Sequence, residues 1–185
     1  MTQPRFILAL ILFTLFACPA SAGDCLRLCD YGFMQTATAQ DINTEIDKGA
    51  DLHARITESL SPLHFAALSG NTAAVSALLA AGADVEVRTK NNSTPLHLAA
   101  IRGNAPIITT LLKAGANREA RNRLAGTPLH YAAGDGNAET ITALLNAGTN
   151  ARARGLDGET PHDLARLSGK LTGTKMLQRL KNAAQ

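Results

Sequence analysis

The heptapeptide TPLHLAA at residues 94–100 recurs with small changes along the chain at a constant spacing of 33 residues. It appears as SPLHFAA at 61–67, as TPLHYAA at 127–133 and as TPHDLAR at 160–166. A fixed period of this length indicates one supersecondary unit that is copied along the chain. Such units stack on their neighbours and offer an extended surface, which favours binding over catalysis.

Each copy predicts two short helices. The proline falls in the first turn of the first helix, where its missing N–H has no acceptor, and the preceding Ser or Thr can cap the free amides. The second helix is predicted from an apolar stripe at i, i+3 and i+4, as in Val75, Leu78 and Leu79, which should face the core. Glycines that can adopt a left-handed conformation should end the helices. They are Gly70, Gly103, Gly136 and Gly169 after the first helices, and Gly82, Gly115 and Gly148 after the second.

This pattern resembles the ankyrin repeat. The Thr-Pro-Leu-His-x-Ala-Ala core, the glycine that closes the first helix and the Gly-Ala-Asp or Gly-Ala-Asn after the second helix match over residues 61–169. One copy departs from the pattern, because Thr149 replaces the alanine. The resemblance implies an all-α solenoid of helix–loop–helix units with β-hairpin fingers and a concave face. It also implies that the motif histidines His64, His97 and His130 hydrogen-bond loop backbone between repeats.

The period predicts about five units in one domain of residues 23–185. They cover residues 28–60, 61–93, 94–126, 127–159 and 160–185. The first unit is degenerate, with Cys29 at the proline position and Glu45 where Leu78 stands in the second unit. The last is also degenerate, with Thr174 and Gln178 at positions of the apolar stripe. Terminal units are expected to be atypical because one of their faces meets water.

The first 22 residues predict a signal peptide. Arg5 supplies a positive charge, and residues 6–17 form an apolar run that is too short to span a bilayer of about 30 Å as a helix. Small residues precede the predicted cleavage site between Ala22 and Gly23. We therefore expect an exported protein, in the bacterial periplasm or, alternatively, outside the cell.

A second interpretation concerns Cys18. The tetrapeptide LFAC at residues 15–18 resembles a bacterial lipoprotein box, in which the cysteine becomes the lipidated N-terminus. Attachment to a membrane is expected only in that case. The alternative localisation is then a lipid anchor on the cell envelope.

Cys25 and Cys29 remain after cleavage before Gly23, and an oxidising compartment favours a disulfide between them. On a helix, their four-residue spacing would place the Cα atoms about 6 Å apart, which a disulfide tolerates. Two reduced, partly buried thiols are the alternative. A metal site is not expected, because no second pair of Cys or His follows at ligand spacing.

Charge and motifs argue against several function classes. The formal net charge is +3 for 185 residues, and it becomes +2 without the single charge of residues 1–22. So small a charge does not favour nucleic acid as a partner. The sequence has no nucleophile elbow and no phosphate loop, and repeated positions do not converge on a unique catalytic site. We predict a protein that is not an enzyme and has no cofactor, metal or small-molecule substrate.

The predicted function is binding of another protein by a monomer, through the concave face and the fingers. Arg55, Arg88, Arg121 and Arg154 share one register and should form a row along the fingers, suited to carboxylates on a partner. The alternative role for this row is ordinary repeat chemistry, in which each arginine packs against the next finger. The other candidate contacts are Leu60, Lys90, Ile101, Arg102, Arg123 and Leu124. Two further functions stay open: a secreted effector that binds a host protein, and a lipoprotein scaffold tethered through Cys18.

Overall fold

A computed structural model describes residues 27–185 of the chain. This part of the chain forms five pairs of α-helices and contains no strand. The helices are α1 (Tyr31–Thr36), α2 (Ala39–Asp47), α3 (Pro62–Ser69), α4 (Thr72–Ala80), α5 (Pro95–Arg102), α6 (Ala105–Lys113), α7 (Pro128–Asp135), α8 (Ala138–Asn146), α9 (Pro161–Ser168) and α10 (Lys175–Ala183). None of these helices is long and apolar enough to cross a membrane.

The helices form two layers. The first helices of successive units pack on one another from α1 to α9, and the second helices do so from α2 to α8. The paired alanines of the motif are fully buried, as at Ala66 and Ala67, and small side chains there let neighbouring helices approach closely. The predicted stripe residues Val75 and Leu78 are also fully buried between the layers. The predicted all-α solenoid of helix–loop–helix units is confirmed.

The starts and ends of the first helices follow the sequence pattern. The hydroxyl of Thr94 and the imidazole of His97 form a reciprocal capping box with the backbone N–H groups at the start of α5, and the same arrangement opens α3 and α7. Gly103 ends α5 with φ at 69°, in the left-handed region where a glycine carries no steric penalty.

The fingers are tight turns and not the expected β-hairpins. Each is closed by backbone hydrogen bonds at both ends of the turn, as in Thr89 N to Ser93 O at 3.0 Å and Asn92 N to Thr89 O at 2.9 Å. In the described residues, the only pairing of the β type is a single bridge between Ile56 and Leu60. Each finger has a left-handed residue at the same register, with φ between 53° and 81°. That residue is Ser59, Asn92, Ala125 or Gly158.

The N-terminal unit departs from the predicted register. Helix α1 begins at Tyr31, two residues later than the period predicts, because Asp30 and not Leu28 caps it. Cys29 lies in the turn at residues 27–29 and not on a helix. Cys29 is disulfide-bonded. Its predicted partner Cys25 lies outside the described residues, so the pairing stays a prediction.

The other N-terminal predictions also lie outside the described residues. They are the signal peptide of residues 1–22, the cleavage site between Ala22 and Gly23, and lipidation at Cys18.

In the C-terminal unit, the predicted register of the second helix is wrong. Thr174 is not a stripe residue but the cap of α10, where its hydroxyl accepts a hydrogen bond from Leu177 N at 3.3 Å. An extra turn at residues 170–173 buries Leu171 and starts α10 four residues later than the period predicts. Gln178 is therefore exposed, and Leu180 is the fully buried residue of this helix.

Candidate functional site

The finger tips are residues 57–58, 90–91, 123–124 and 156–157, and backbone hydrogen bonds join each to the next. The N–H of Lys90 donates to the carbonyl of Glu58 at 2.9 Å. The N–H of Arg123 donates to Asn91 at 3.0 Å, and that of Leu156 donates to Leu124 at 3.0 Å. Each bond joins residues 32 positions apart. The ladder holds the four tips in a fixed order and spacing.

The predicted arginine row lies beside this ladder, in one register as expected. The guanidinium of Arg55 donates to the backbone carbonyl of Arg88 at 2.9 Å, and that of Arg121 donates to the carbonyl of Arg154 at 2.8 Å. Arg88 makes the same bond to Arg121 at 3.2 Å. These contacts are those of the alternative role, in which the row packs finger on finger. Binding of a partner by the row stays a prediction.

The arginines also hold their own fingers. Three of them donate to a carbonyl four residues ahead, at 2.9 to 3.1 Å. These bonds are Arg88 to Asn92, Arg121 to Ala125 and Arg154 to Gly158. Hydrogen bonds from a charged donor are stronger than neutral ones, so the row stiffens the fingers.

Two glutamates form a second link between units. Glu86 accepts a hydrogen bond from Asn117 N at 2.8 Å, and Glu119 accepts one from Asn150 N at 2.7 Å. Arg152 takes their register in the fourth unit and donates instead to the carbonyl of Ala184 at 3.2 Å. A cation there suits the negative end of α10, so in this link the side chain donates to the backbone, whereas the two glutamates accept from it.

The motif histidines link successive fingers, as the resemblance implies. His97 accepts at Nδ1 from Thr94 N at 3.2 Å, and its Nε2 lies 3.1 Å from the carbonyl of Gly126. A carbonyl only accepts, so Nε2 carries the proton and the ring is neutral. His64 and His130 make equivalent contacts.

Burial disfavours the charged form of these rings. Desolvation lowers the pKa of His64 and of His97 to about 4, against the weaker opposing effect of the carbonyl that each contacts. It also lowers the pKa of His130. The three rings therefore serve as neutral structural links near neutral pH.

An aromatic side chain supports the third finger. The amide of Asn122 donates to the hydroxyl of Tyr131, and its oxygen accepts from Leu124 N at 3.0 Å and Gly126 N at 3.1 Å. The Tyr131 ring packs edge-on against His97 with centroids 5.8 Å apart. Burial raises the pKa of Tyr131. This cluster fixes the tip that carries Leu124.

The remaining predicted contacts fall into two groups. Leu60 and Ile101 are half-buried and pack against the core. The others are exposed: Lys90 lies 3.6 Å from the Glu58 carboxylate, Arg123 and Leu124 stand on one tip, and Arg102 extends from α5. The exposed group stands on the fingers and first helices, where the predicted surface places it.

The sequence analysis missed two exposed side chains of the same surface. Leu156 is 66% exposed on the fourth tip, beside Leu124 at 47%. It stands at the register of Arg123, so the period alone could have identified it. Tyr31 is 38% exposed, and its hydroxyl accepts from the guanidinium of Arg102 at 3.2 Å. Tyr31 belongs to the degenerate unit, where the motif gives no register.

Within residues 27–185, no three His, Cys, Asp or Glu side chains come together in a way that could hold a metal ion. The expected lack of a cofactor stays a prediction.

Comparison with known families gives two matches. A family model described as "Ankyrin repeats (3 copies)" matches residues 33–122, and one described as "Ankyrin repeat" matches residues 126–155. A search of the curated proteins found no match.

Proposed function

Because the chain belongs to the ankyrin-repeat family, we propose that it is a non-enzymatic module that binds one partner protein through its finger tips and first helices. Ankyrin repeats are generally protein–protein interaction modules, and the family is typically non-enzymatic. The proposal is that this chain works in the same way, as a monomer.

The ladder of hydrogen bonds between the finger tips is the observation that carries this proposal. The bonds use backbone atoms, so they fix the tips while the side chains at each tip differ. A surface that is rigid before binding loses little conformational entropy when a partner docks. Such a ladder therefore presents a set of different side chains at fixed spacing, as a selective interface requires.

Leu124 and Leu156 provide an apolar centre for the interface. Their tips are joined by the 3.0 Å bond, both side chains are largely exposed, and Arg123 stands beside Leu124. Arginine is enriched among the few residues that dominate binding energy, and a partner that covers the exposed leucines would remove apolar surface from water. The chain has no Trp and two Tyr, so we expect moderate affinity.

We further propose that the protein acts in the bacterial periplasm. The apolar run of residues 6–17 and the small residues before Gly23 support export. Mass spectrometry of the N-terminus of the protein from its native host tests this. A chain that begins at Gly23 is expected, whereas an acylated Cys18 would indicate the lipoprotein.

Capture from periplasmic extract tests the binding function. The immobilised protein should retain a discrete partner, and Leu124→Asp with Leu156→Asp should lose it without loss of fold. The matched control introduces the same two charges on exposed positions of the second helices, Thr109→Asp on α6 with Ala138→Asp on α8, and should retain the partner. Retention by the tip variant would contradict the proposal, as would loss by both variants.

A further inference from the structure

The C-terminal end of the stack carries a charge that the rest of the chain does not share. Residues 164–185 contain five basic residues and no Asp or Glu, whereas residues 23–163 contain 12 basic and 15 acidic residues. The five are Arg166, Lys170, Lys175, Arg179 and Lys181. The small net charge of the chain therefore conceals a strongly basic end.

Two of these cations have partners on the preceding unit. Lys170 Nζ lies 3.2 Å from the carboxylate of Asp135. Arg179 donates to Asn146 at 2.8 Å and lies 3.4 Å from the hydroxyl of Thr142. These two side chains hold the last unit to the stack.

The other three cations surround a groove between α9 and α10. The groove has a volume of about 570 Å³ and is lined by Arg166, Lys175 and Lys181, with Leu177 contributing apolar surface. Within the described residues, none of the three cations forms a side-chain hydrogen bond or an ion pair. Like charges held together without a counter-charge repel one another, which an anionic ligand would relieve.

The uncharged lining of the groove also favours an anion. His162, Thr174 and Gln178 add groups that can donate hydrogen bonds, and no carboxylate lines the groove. The nearest acid, Asp163, lies 3.8 Å from His162 Nδ1. Its carboxylate accepts from the backbone and hydroxyl of Thr160, at 2.9 and 2.7 Å, and so caps α9. These hydrogen bonds with Thr160 are the main cause of the lowered pKa of Asp163, and among the three cations Arg166 alone contributes to it, to a smaller extent.

The spacing of the charges selects the kind of ligand. Lys175 and Lys181 are six residues apart on α10, which separates them by about 9 Å along the helix axis. Cations spread over this length are matched better by several carboxylates than by one small anion. Alternate side chains of an extended peptide lie about 7 Å apart on one side, so the flexible lysines can pair with two alternate acidic side chains of one segment. The groove lining has no Phe, Tyr or Trp on which nucleic acid bases would stack.

We propose that the groove between α9 and α10 binds an extended acidic segment of a partner protein. The acidic side chains pair with Arg166, Lys175 and Lys181, and the segment covers Leu177. The finger tips take no part in this contact. It is therefore a second binding site, beyond the proposed function of the tips.

Fluorescence anisotropy with a labelled hexaglutamate peptide at low salt tests the proposal. The intact protein should bind the peptide, and Lys175→Gln with Lys181→Gln should weaken the Kd about tenfold, equivalent to about 1.4 kcal/mol. Arg166→Gln, on the opposite wall of the groove, should weaken it by a smaller factor. Thermal unfolding of each variant verifies that it is folded. If the double variant is not folded, the Kd of Arg166→Gln tests the proposal instead.

The matched control is Lys113→Gln with Arg118→Gln, which removes the same charge from exposed positions of the third unit. It should leave the Kd unchanged. Equal weakening in the control and the groove variant would overturn the proposal, because bulk charge alone would then explain binding. Failure of the intact protein to bind hexaglutamate would overturn it too. So would tighter groove-dependent binding of a single-stranded oligonucleotide or of phosphatidylglycerol vesicles.

The outcome is independent of the function proposed for the fingers. Leu124→Asp with Leu156→Asp should leave hexaglutamate binding unchanged. A protein that captures its partner but does not bind hexaglutamate would refute the acidic-segment site without contradicting the finger interface.

Discussion

Lowering the pH from 7.5 to 5.0 should destabilise the stack by protonating buried histidines. His64 and His97 are fully buried, and their pKa values in the folded chain are about 4. In the unfolded chain, a histidine has a pKa of about 6.5. The unfolded chain therefore binds more protons between these values, so the stability that the neutral rings contribute is present above pH 6.5 and is lost as the pH falls toward 4.

The expected loss follows from the two pKa values. At pH 5.0, each ring costs about 2 kcal/mol relative to pH 7.5, so the pair costs about 4 kcal/mol. The cause is visible in the contacts of His97, since a proton on Nδ1 would oppose the N–H of Thr94, from which Nδ1 accepts. The carboxyls of Asp41 and Asp163 do not contribute, because their hydrogen bonds with Thr38 and Thr160 lower their pKa values below the ordinary carboxyl range.

Urea unfolding of the purified protein at the two pH values measures this loss. With a urea dependence of about 2 kcal/mol per molar, the midpoint should fall by about 2 M at pH 5.0. His97→Gln should be less stable at pH 7.5, and its pH-dependent loss should be about 2 kcal/mol smaller than that of the parent protein. His53 is exposed, so His53→Gln is the matched control and should behave as the parent protein does. A midpoint that does not change with pH, or a His97→Gln variant with the full loss, would refute the reasoning.

Three further perturbations test the contacts between units, each by urea unfolding at pH 7.5. Arg121→Gln should lower the free energy of unfolding by about 1.5 to 3 kcal/mol, because it removes charged hydrogen bonds to two finger carbonyls. The control Arg123→Gln should lower it by under about 0.5 kcal/mol, because the Arg123 side chain makes no such bond in the described residues. Equal costs would contradict the role of the arginine row. Ala125→Gly should stabilise the protein by about 0.5 to 1 kcal/mol, because a φ of 53° strains a residue that has a Cβ. Gly158→Ala, at the same register, should destabilise it. The opposite signs would show that this backbone is not strained. Asn104→Ala should lower the free energy of unfolding by about 2 kcal/mol, because it removes two hydrogen bonds. Asn104 Oδ1 accepts from Ile107 N at 3.0 Å and caps α6, and Asn104 Nδ2 donates to the carbonyl of Gly70 at 3.0 Å. A cost below about 0.5 kcal/mol would show that neither bond stabilises the protein.

The sequence predicts the repeated parts of the fold because each of them depends on local chemistry. The proline and the preceding hydroxyl start a helix, and the glycine ends it, wherever these residues occur. These features need no knowledge of distant parts of the chain. The link that each motif histidine makes to the next finger spans 29 residues; the resemblance to the ankyrin repeat implies it, and the structure confirms it.

The helix registers of the end units could not be predicted from the period, because nothing packs on the outer faces of these units in the described structure. Interior units must keep the period so that both neighbours fit, whereas a terminal unit has one neighbour. The last unit can therefore insert the turn that buries Leu171 and displace α10. For the same reason, α1 begins late, at Tyr31 after its cap Asp30, and Tyr31 becomes part of the exposed surface.

The candidate site is predicted in position but not in detail. A register tells which side chains stand in one row, yet it does not tell what each guanidinium reaches. The carbonyls that accept from Arg55 and Arg121 belong to residues 33 positions away, and their distance depends on how closely the fingers stack. The apolar pair of Leu124 and Leu156 also depends on that stacking, since a bond between residues 32 apart brings their tips together.

Site-specific photo-cross-linking tests the central claim, that the finger tips bind a partner protein. A photoreactive amino acid replaces Leu124 on a finger tip or, in the control, Lys113 on α6, and the protein is irradiated in periplasmic extract. We predict one discrete cross-linked protein from position 124 and none from position 113. The same products from both positions, or none from position 124, would contradict the claim.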